Sequence, residues 1–465
     1  MGLQPAKLHG ELSGAPSDRC GARARGCFFD PHTPRLRHNS SMPLAALLAF
    51  FYSAAAPTFS HDVAPLLYAR CVSCHREGGV APFPLVTYAA AAKRAGLIAT
   101  VTAKRYMPPW LPSEPRFQHE MRLSAAQIAM LAAWAAAGTP EGNPRETPPP
   151  PEFPDGWPLG TPDLEAVMPT AFDIAADGPD LYQCFVIPAP SSADHWVRAI
   201  DVRPGNARVV HHVIVFQDTS RSARKRDTGA GYPCFGTPGF LPARGLGGWT
   251  PGALPFQMPD DIPSLFHGAS DLVLQIHYHP TGKPETDRTR LALYFAAHPP
   301  ARRLMDLPLG SNRIDIPPGA AAFRVADHFT IPVDVDAIGI IPHAHYVCKV
   351  MYAYAVLPDG TRRTLLRIPD WNFNWQRQYH YAAPIRLPAG TRVEMEFTYD
   401  NSAANPRNPH HPPARIVWGP ATTDEMAGLH VEVVPVRAAD EDELSQALWG
   451  KMMRSLGGGI YRPGR

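Results

Sequence analysis

No helix and no central strand can pass through Pro148, Pro149, Pro150 and Pro151. Proline lacks the backbone N–H that both structures use, and its ring fixes φ. Four together favour a stiff polyproline II spacer. They lie in a turn-forming stretch, NPRETPPPPEFPDGWPLGTPD from Asn143, so residues 144–165 are expected to be a linker. The 465-residue chain is thereby cut into a short N-terminal part and a long C-terminal one. The prolines do not signal disorder. Gly (36) and Pro (54) make up about a fifth of the chain, below the roughly 25–30% of low-complexity sequence. Nine Trp and 45% hydrophobic residues are enough to build a core. Lys and Arg number 44 against 42 Asp and Glu, a formal net charge of +2. A balance this close leaves no electrostatic footprint for nucleic acid or an acidic membrane surface.

Residues 1–57 read as a leader. Pro43–Ala56, PLAALLAFFYSAAA, has the length of a signal-peptide core and is too short to span a bilayer. Arg35 and Arg37 supply a positive start, and Met42 is an alternative initiator. No later run is long and uncharged enough for a membrane helix. The expected location is therefore outside the cytoplasm, periplasmic or extracellular, and Cys20 and Cys27 would leave with the leader.

Cys71-Val72-Ser73-Cys74-His75 has the C-x-x-C-H spacing of c-type haem attachment. Two thiols one turn apart form thioethers to the haem vinyls, and the adjacent His offers its imidazole to the iron. The alternative is a redox or zinc pair, but zinc needs further ligands nearby and none follows. Met107, in Arg105-Tyr106-Met107-Pro108-Pro109-Trp110, is the candidate sixth ligand, with His119 and Met121 as alternatives. The prolines stiffen this loop, and Trp110 is placed to pack near the macrocycle. Ser124 and Gln127 form a capping-box pattern opening an Ala-rich helix that Gly138 and Pro140 close. Residues 58–143 resemble the class I c-type cytochrome domains, which implies a small all-α domain with covalently bound haem c.

Residues 166–437 lack helical periodicity. Runs such as Trp196–Val202, Val209–Phe216, Leu272–Tyr278, Leu291–Phe295 and Arg392–Thr398 are separated by Pro, Gly, Asn and Asp, the pattern of β sandwiches or jelly rolls. Histidines interrupt these apolar runs. His211 and His212 are adjacent, and buried imidazoles without partners are costly. Adjacent strand residues point to opposite faces, so both serve one ion only at a strand end or a bulge, or by using different ring nitrogens. His277-Tyr278-His279 and His343-Ala344-His345 are H-x-H pairs, whose members share a face. Met426, in Thr422-Thr423-Asp424-Glu425-Met426, adds a soft thioether of the kind that favours Cu(I).

In order, these residues resemble the ligands of the type II copper, ascorbate-dependent monooxygenases, the family of dopamine β-monooxygenase and peptidylglycine α-hydroxylating monooxygenase. The resemblance implies two copper ions. His211, His212 and His277 would bind the electron-transfer copper; His343, His345 and Met426 would bind the copper where oxygen is activated. It also implies the architecture. A small all-α c-type cytochrome domain (58–143) would precede two all-β jelly-roll-like copper domains, 166–300 and 301–437, with an open cleft between the coppers. Residues 438–465 form a C-terminal tail, helical over Glu441–Leu456. His279 becomes an extra residue. Peptide-amidating members anchor substrate with Arg, Asn and Tyr where this chain has Ile341, Gly428 and His430, so a glycine-extended peptide does not fit.

The expected function is a copper monooxygenase that hydroxylates a C–H bond of a small organic substrate with O2. Electrons come from an external reductant, ascorbate or a redox partner protein, or through the fused haem. A haem/copper electron carrier or copper-holding protein without turnover is the alternative, and an oxidase or reductase of a small inorganic molecule a third. An exported domain permits a disulfide between Cys184 and Cys234. Cys348 reads as a small buried hydrophobe, His410 and His411 as loop residues, Arg221–Arg226 as a solvated loop, and Trp371–Trp375 as core or cleft wall.

Overall fold

Strands dominate the C-terminal part because apolar residues recur there at every second position. In Arg392–Tyr399, Val393, Met395, Phe397 and Tyr399 are buried, and the residues between them are exposed or half-buried. That is the period of a sheet with one face on a core. The computed structural model describes residues 56–457, apart from 154–155, 236, 241–244, 252, 254, 259–261 and 420. The expected leader up to Ala55, with Cys20 and Cys27, lies outside the described residues.

Four larger sheets form two stacked pairs. In the first pair, one sheet has the order Leu164–Val167, Arg290–Phe295, His195–Arg203, Phe256–Gln257, with Ser264–Phe266 also on His195–Arg203. The other has the order Tyr232–Pro233, Leu181–Ile187, Asp271–Tyr278, Val210–Asp218, Gly245–Trp249. Val197, Ile200, Val202, Leu291 and Leu293 from one meet Phe185, Val213, Val215, Leu272, Leu274 and Ile276 from the other in one apolar cluster. The second pair stacks Met305–Ser311, Ala427–Pro435, Val335–His343, Tyr379–Leu387 on Phe323–Thr330, Arg392–Tyr399, Cys348–Val356, Arg362–Ile368. Its cluster includes Leu307, Ile340, Leu429 and Val431 on one side and Met351, Leu366, Met395 and Phe397 on the other. Neighbouring strands of these sheets run antiparallel. Helix Glu441–Gly457 adds Leu444 and Leu448 to the second cluster.

Asp271–Tyr278 is buried along its whole length. One face lies in the sandwich. The other carries Val273 into a small cluster with Val186, Tyr232 and the Cys184–Cys234 disulfide, whose Cα atoms are 5.8 Å apart. The disulfide expected from the sequence is thus present, tying Leu181–Ile187 to the turn after Tyr232–Pro233.

The expectation of a distinct small all-α cytochrome domain is corrected by the structure. The chain is mostly β, and the described residues from Ala56 onward cluster as one compact unit. Helices Ala64–Arg70, Tyr88–Ala92, Ala95–Ala103 and Ala125–Ala136 do share an apolar cluster around Leu67, Leu131 and Trp134. Between the last two, however, the chain leaves the helices and joins the second sandwich. Ser113 N–H donates to Arg367 O at 2.8 Å, Arg367 N–H to Glu114 O at 2.9 Å, and Gln118 N–H to His380 O at 2.8 Å. Phe117 pairs with Tyr381 and is buried in the second sandwich's cluster. Backbone donors and acceptors at two sheet edges thus capture residues 113–118.

The proline stretch is anchored at both ends. Phe153 packs on the helical cluster under the Arg76 guanidinium, 4.3 Å from its ring centre. Trp157 packs with Ala199, Ala292 and Tyr294, flanked by the guanidiniums of Arg203 and Arg290 at 4.8 and 5.0 Å. No described helix is long and apolar enough to cross a membrane.

Candidate metal centres

The start of Val210–Asp218 lies beside the end of its antiparallel neighbour Asp271–Tyr278. His277 pairs with His212, yet the next residue, Tyr278, pairs with Val210. His211 is therefore the extra residue of a β-bulge, which removes the alternation that would send His211 and His212 to opposite faces. The nitrogens of His211, His212 and His277 all come within 4.8 Å of one another. His211 Nδ1 and His212 Nδ1 are 3.2 Å apart. Two nitrogens about 2.0–2.1 Å from one tetrahedral ion stand roughly 3.3 Å apart, so this spacing suits a shared cation.

His277 is fully buried and stacked on Tyr182, with ring centres 4.1 Å apart and planes at 15°. Its Nε2–H donates to Asp180 Oδ2 at 2.8 Å, which leaves Nδ1 as the lone-pair nitrogen. His279 Nδ1–H donates to the other oxygen of Asp180 at 2.7 Å. Burial pushes the Asp180 carboxyl up, but the hydrogen bonds from His277 and His279 outweigh it and hold the group well below the carboxylate range. His277 Nδ1 and His211 Nε2 are buried without a hydrogen-bond partner. Burial, then the neighbouring His277, lowers His211 to about 3 and drives His212 well below its ordinary value. Both imidazoles are neutral near pH 7, the form that binds a metal.

The second set lies where Val335–His343 ends. His343 pairs with Gly428, two residues beyond Met426. Its Nδ1–H donates to Gln376 Oε1 at 2.6 Å, and His345 Nδ1–H donates to Asp424 O at 3.1 Å. Each bond fixes the tautomer and leaves Nε2 with its lone pair. The two ring centres are 5.3 Å apart. Burial, then His343, lowers His345 to about 3, and burial also lowers His343. Met426 is half-buried, and its carbonyl accepts the Tyr399 hydroxyl at 2.8 Å. Glu425 next to it is fully buried; burial keeps its carboxyl well above the usual range although backbone N–H groups of His345, Met426 and Val347 bond to it.

The two sets meet at one ring. Phe373 lies parallel to His211, centres 5.1 Å apart at 14°, and edge-on to His345 at 5.6 Å. Where the resemblance implies an open cleft, Phe373 touches a histidine of each set. Its segment is fixed on both sides of it. Trp371 Nε1–H donates to His345 O at 3.1 Å, and Gln376 holds His343. Nothing in the local sequence marks Asp180, Tyr182 or Gln376, whereas Phe373 lies in the WNFNW run and Glu425 in the segment that ends at Met426.

At the haem motif, Cys71 and Cys74 are unpaired thiols following helix Ala64–Arg70. His75 Nδ1–H donates to Phe83 O at 3.0 Å, which leaves Nε2 with its lone pair. Two free thiols and one imidazole of fixed tautomer fit a covalent haem. Met107 is half-buried just past helix Ala95–Ala103, its N–H on Val101 O at 3.2 Å. Of the alternative ligands, Met121 Sδ accepts from Arg377 at 3.4 Å, and His119 is exposed. Trp110, expected near the macrocycle, packs on Tyr379 and Phe117, 5.4 and 6.3 Å between centres. Cys348 is buried.

No protein-family model matches the chain. Over 241 residues it is 26% identical to the DBH-like monooxygenase protein 2 of Mus musculus, covering 47% of this chain and 38% of that protein. The chain thus spans less than two fifths of that relative's length. Among solved structures, the major capsid protein P2 of bacteriophage PM2 is similar at 12% identity and TM-score 0.22, covering 58% of this chain and 97% of that one. The infectious bursal disease virus Gx strain structure follows at 9% and 0.17, covering 62% and 75%. Likenesses this slight carry no argument.

Proposed function

We propose that the chain is an exported copper monooxygenase that inserts an oxygen atom from O2 into a C–H bond of a small organic molecule. The observation that carries this reading is the pair of histidine sets. His211, His212 and His277 converge through a bulge, and His343 and His345, with Nε2 free, stand across Phe373. The likeness to a DBH-like monooxygenase supports the same class. Copper, when bound, supplies one-electron chemistry at the first set and oxygen activation at the second.

The chain's own residues supply the geometry. Asp180 orients His277, while Gln376 and the Asp424 carbonyl orient His343 and His345. Met426 would contribute a thioether, a soft donor of the kind that favours cuprous copper. Cys71, Cys74, His75 and Met107 would hold haem c, which would supply reducing equivalents beside those from ascorbate or a redox protein. The disulfide agrees with an oxidising compartment.

The test is copper analysis followed by oxygen uptake under reducing conditions. The expected result is two copper ions per chain and uptake that Met426→Ile abolishes while the three-histidine copper stays bound. Copper binding without any oxygen uptake would overturn the enzyme in favour of a copper-holding electron carrier.

A further inference from the structure

The segment from Trp375 to Tyr379 carries hydrogen-bond donors with nothing to donate to. Trp375 Nε1, Gln376 Nε2, Arg377 Nε and the Tyr379 hydroxyl are all buried, and none has a hydrogen-bond partner among the described residues. An unpaired buried donor is costly, so four within five residues need a reason. Arg377 is the sharpest case. It is half-buried and forms no ion pair among the described residues. Its other two nitrogens donate to neutral acceptors, Met121 Sδ at 3.4 Å and Pro251 O at 3.3 Å. A positive charge is thus drawn out of water without a counter-charge.

These donors stand between the two histidine sets. Gln376 Oε1 accepts from His343 at 2.6 Å, so Nε2 of the same planar amide lies beside the second set. Arg377 reaches the first sandwich. The Pro251 carbonyl that it contacts follows Trp249, which pairs with Val213, two residues from His211. Burial pushes the Tyr379 hydroxyl up and the Arg377 charge acts against it, so guanidinium and hydroxyl share one environment.

We propose that Arg377 and Gln376 form a binding site for a carboxylate group of the substrate and hold it beside His343. A guanidinium matches a carboxylate in shape as well as in charge, and such charge-assisted hydrogen bonds are roughly twice as strong as neutral ones. The Gln376 amide adds a donor on the side of the second histidine set. A neutral ligand would leave the Arg377 charge uncompensated, whereas an organic anion gives the charge and the donors what they lack. The small organic substrate is then a carboxylic acid, ionised at neutral pH. The inference deepens the proposed function and rests on it for the role of substrate; carboxylate binding itself needs neither copper nor oxygen.

The experiment titrates the full-length protein, without copper, by calorimetry. The probes are sodium acetate and sodium benzoate, each against its neutral analogue, acetamide or benzamide. At least one carboxylate should bind, and its amide at least about tenfold more weakly. Arg377→Gln should weaken carboxylate binding by about 10–100-fold and leave amide binding unchanged. Arg377→Lys keeps the charge without the planar fork and should fall between the two. Melting temperatures without ligand give a second readout. An arginine that serves the fold costs stability when neutralised; one held for a ligand does not, so Arg377→Gln should melt at or above the parent temperature. No carboxylate binding, equal binding of acid and amide, binding untouched by Arg377→Gln, or a variant that melts well below the parent each overturns the site. All four leave the proposed function standing, because oxygen uptake by the copper-loaded protein tests that separately. Carboxylate binding without oxygen uptake would overturn the monooxygenase and keep the anion site.

Discussion

Asp180 accepts the Nε2–H of His277 at 2.8 Å, and this bond determines which nitrogen His277 turns toward His211 and His212. Carboxylates in this position orient a ligand and raise its basicity, and losing one typically costs about 10–100-fold in metal affinity. Asp180→Asn should therefore weaken copper binding at the three-histidine centre by about that factor. Copper at His343, His345 and Met426 should keep its affinity. Competitive titration with a cuprous chelator, read separately at the two centres, checks this. Equal weakening at both would mean that Asp180 supports the fold and not the site.

The capture of residues 113–118 by the second sandwich predicts a cost for removing its anchor. Phe117 is 4% exposed, stacked on Tyr381 at 5.4 Å and packed against Tyr379 at 5.3 Å. Phe117→Ala should cost about 3–5 kcal/mol, the usual loss for a buried phenylalanine. The segment should also become a protease target near the exposed Arg116. Denaturant unfolding and limited tryptic digestion measure the two effects. An unchanged digestion pattern would show that the edge hydrogen bonds alone hold the segment.

That segment marks where the sequence stops being legible. The strand runs showed themselves through their two-residue alternation, and Ser124 with Gln127 announced the helix they cap. The five histidines stood out because imidazoles interrupt apolar strands. The bulge at His211 was legible only as a requirement, since nothing local forces an extra residue there; it is set by pairing with Asp271–Tyr278, about sixty residues away. Asp180 is an ordinary turn residue until tertiary contact brings it to His277. Residues 113–118, Ser-Glu-Pro-Arg-Phe-Gln, show no strand alternation, and only the sheet edges at Arg367 and His380 give them an extended role. Long-range pairing overrides local pattern in each of these cases.

The Cys184–Cys234 bridge closes a loop with a sequence separation of 50, and that loop contains the His211-His212 strand. On the chain-entropy account, a loop of this size stabilises by about 4 kcal/mol at most, with 2–4 typical. Replacing both cysteines by serine should lower stability by about 2–4 kcal/mol. It should also weaken metal binding at the three-histidine set more than at the His343 set, because the bridge anchors the sheet that carries His211, His212 and His277. Chemical denaturation with and without a reducing agent tests the first effect, since reduction should bring the parent protein to the variant's midpoint and leave the variant unchanged.

Asp201 gives a pH dependence remote from either centre. It lies in His195–Arg203 with its side chain 8% exposed, and Arg203 Nε is 3.6 Å away. Burial raises its pKa to about 6, against the lowering effect of Arg203. Below about pH 4 the carboxyl is protonated in both folded and unfolded chains and contributes no pH dependence. Between about 4 and 6 the unfolded chain gives up its proton first, so the folded state binds more protons and stability falls as pH rises. Above about 6 the penalty is complete, on the order of 3 kcal/mol. Asp201→Asn carries no charge to bury and should stabilise the protein by about that amount at pH 8, with the gain vanishing near pH 4. Thermal melts across this range decide it. A gain that is the same at pH 4 and pH 8 would show that the effect comes from hydrogen bonding and not from charge burial.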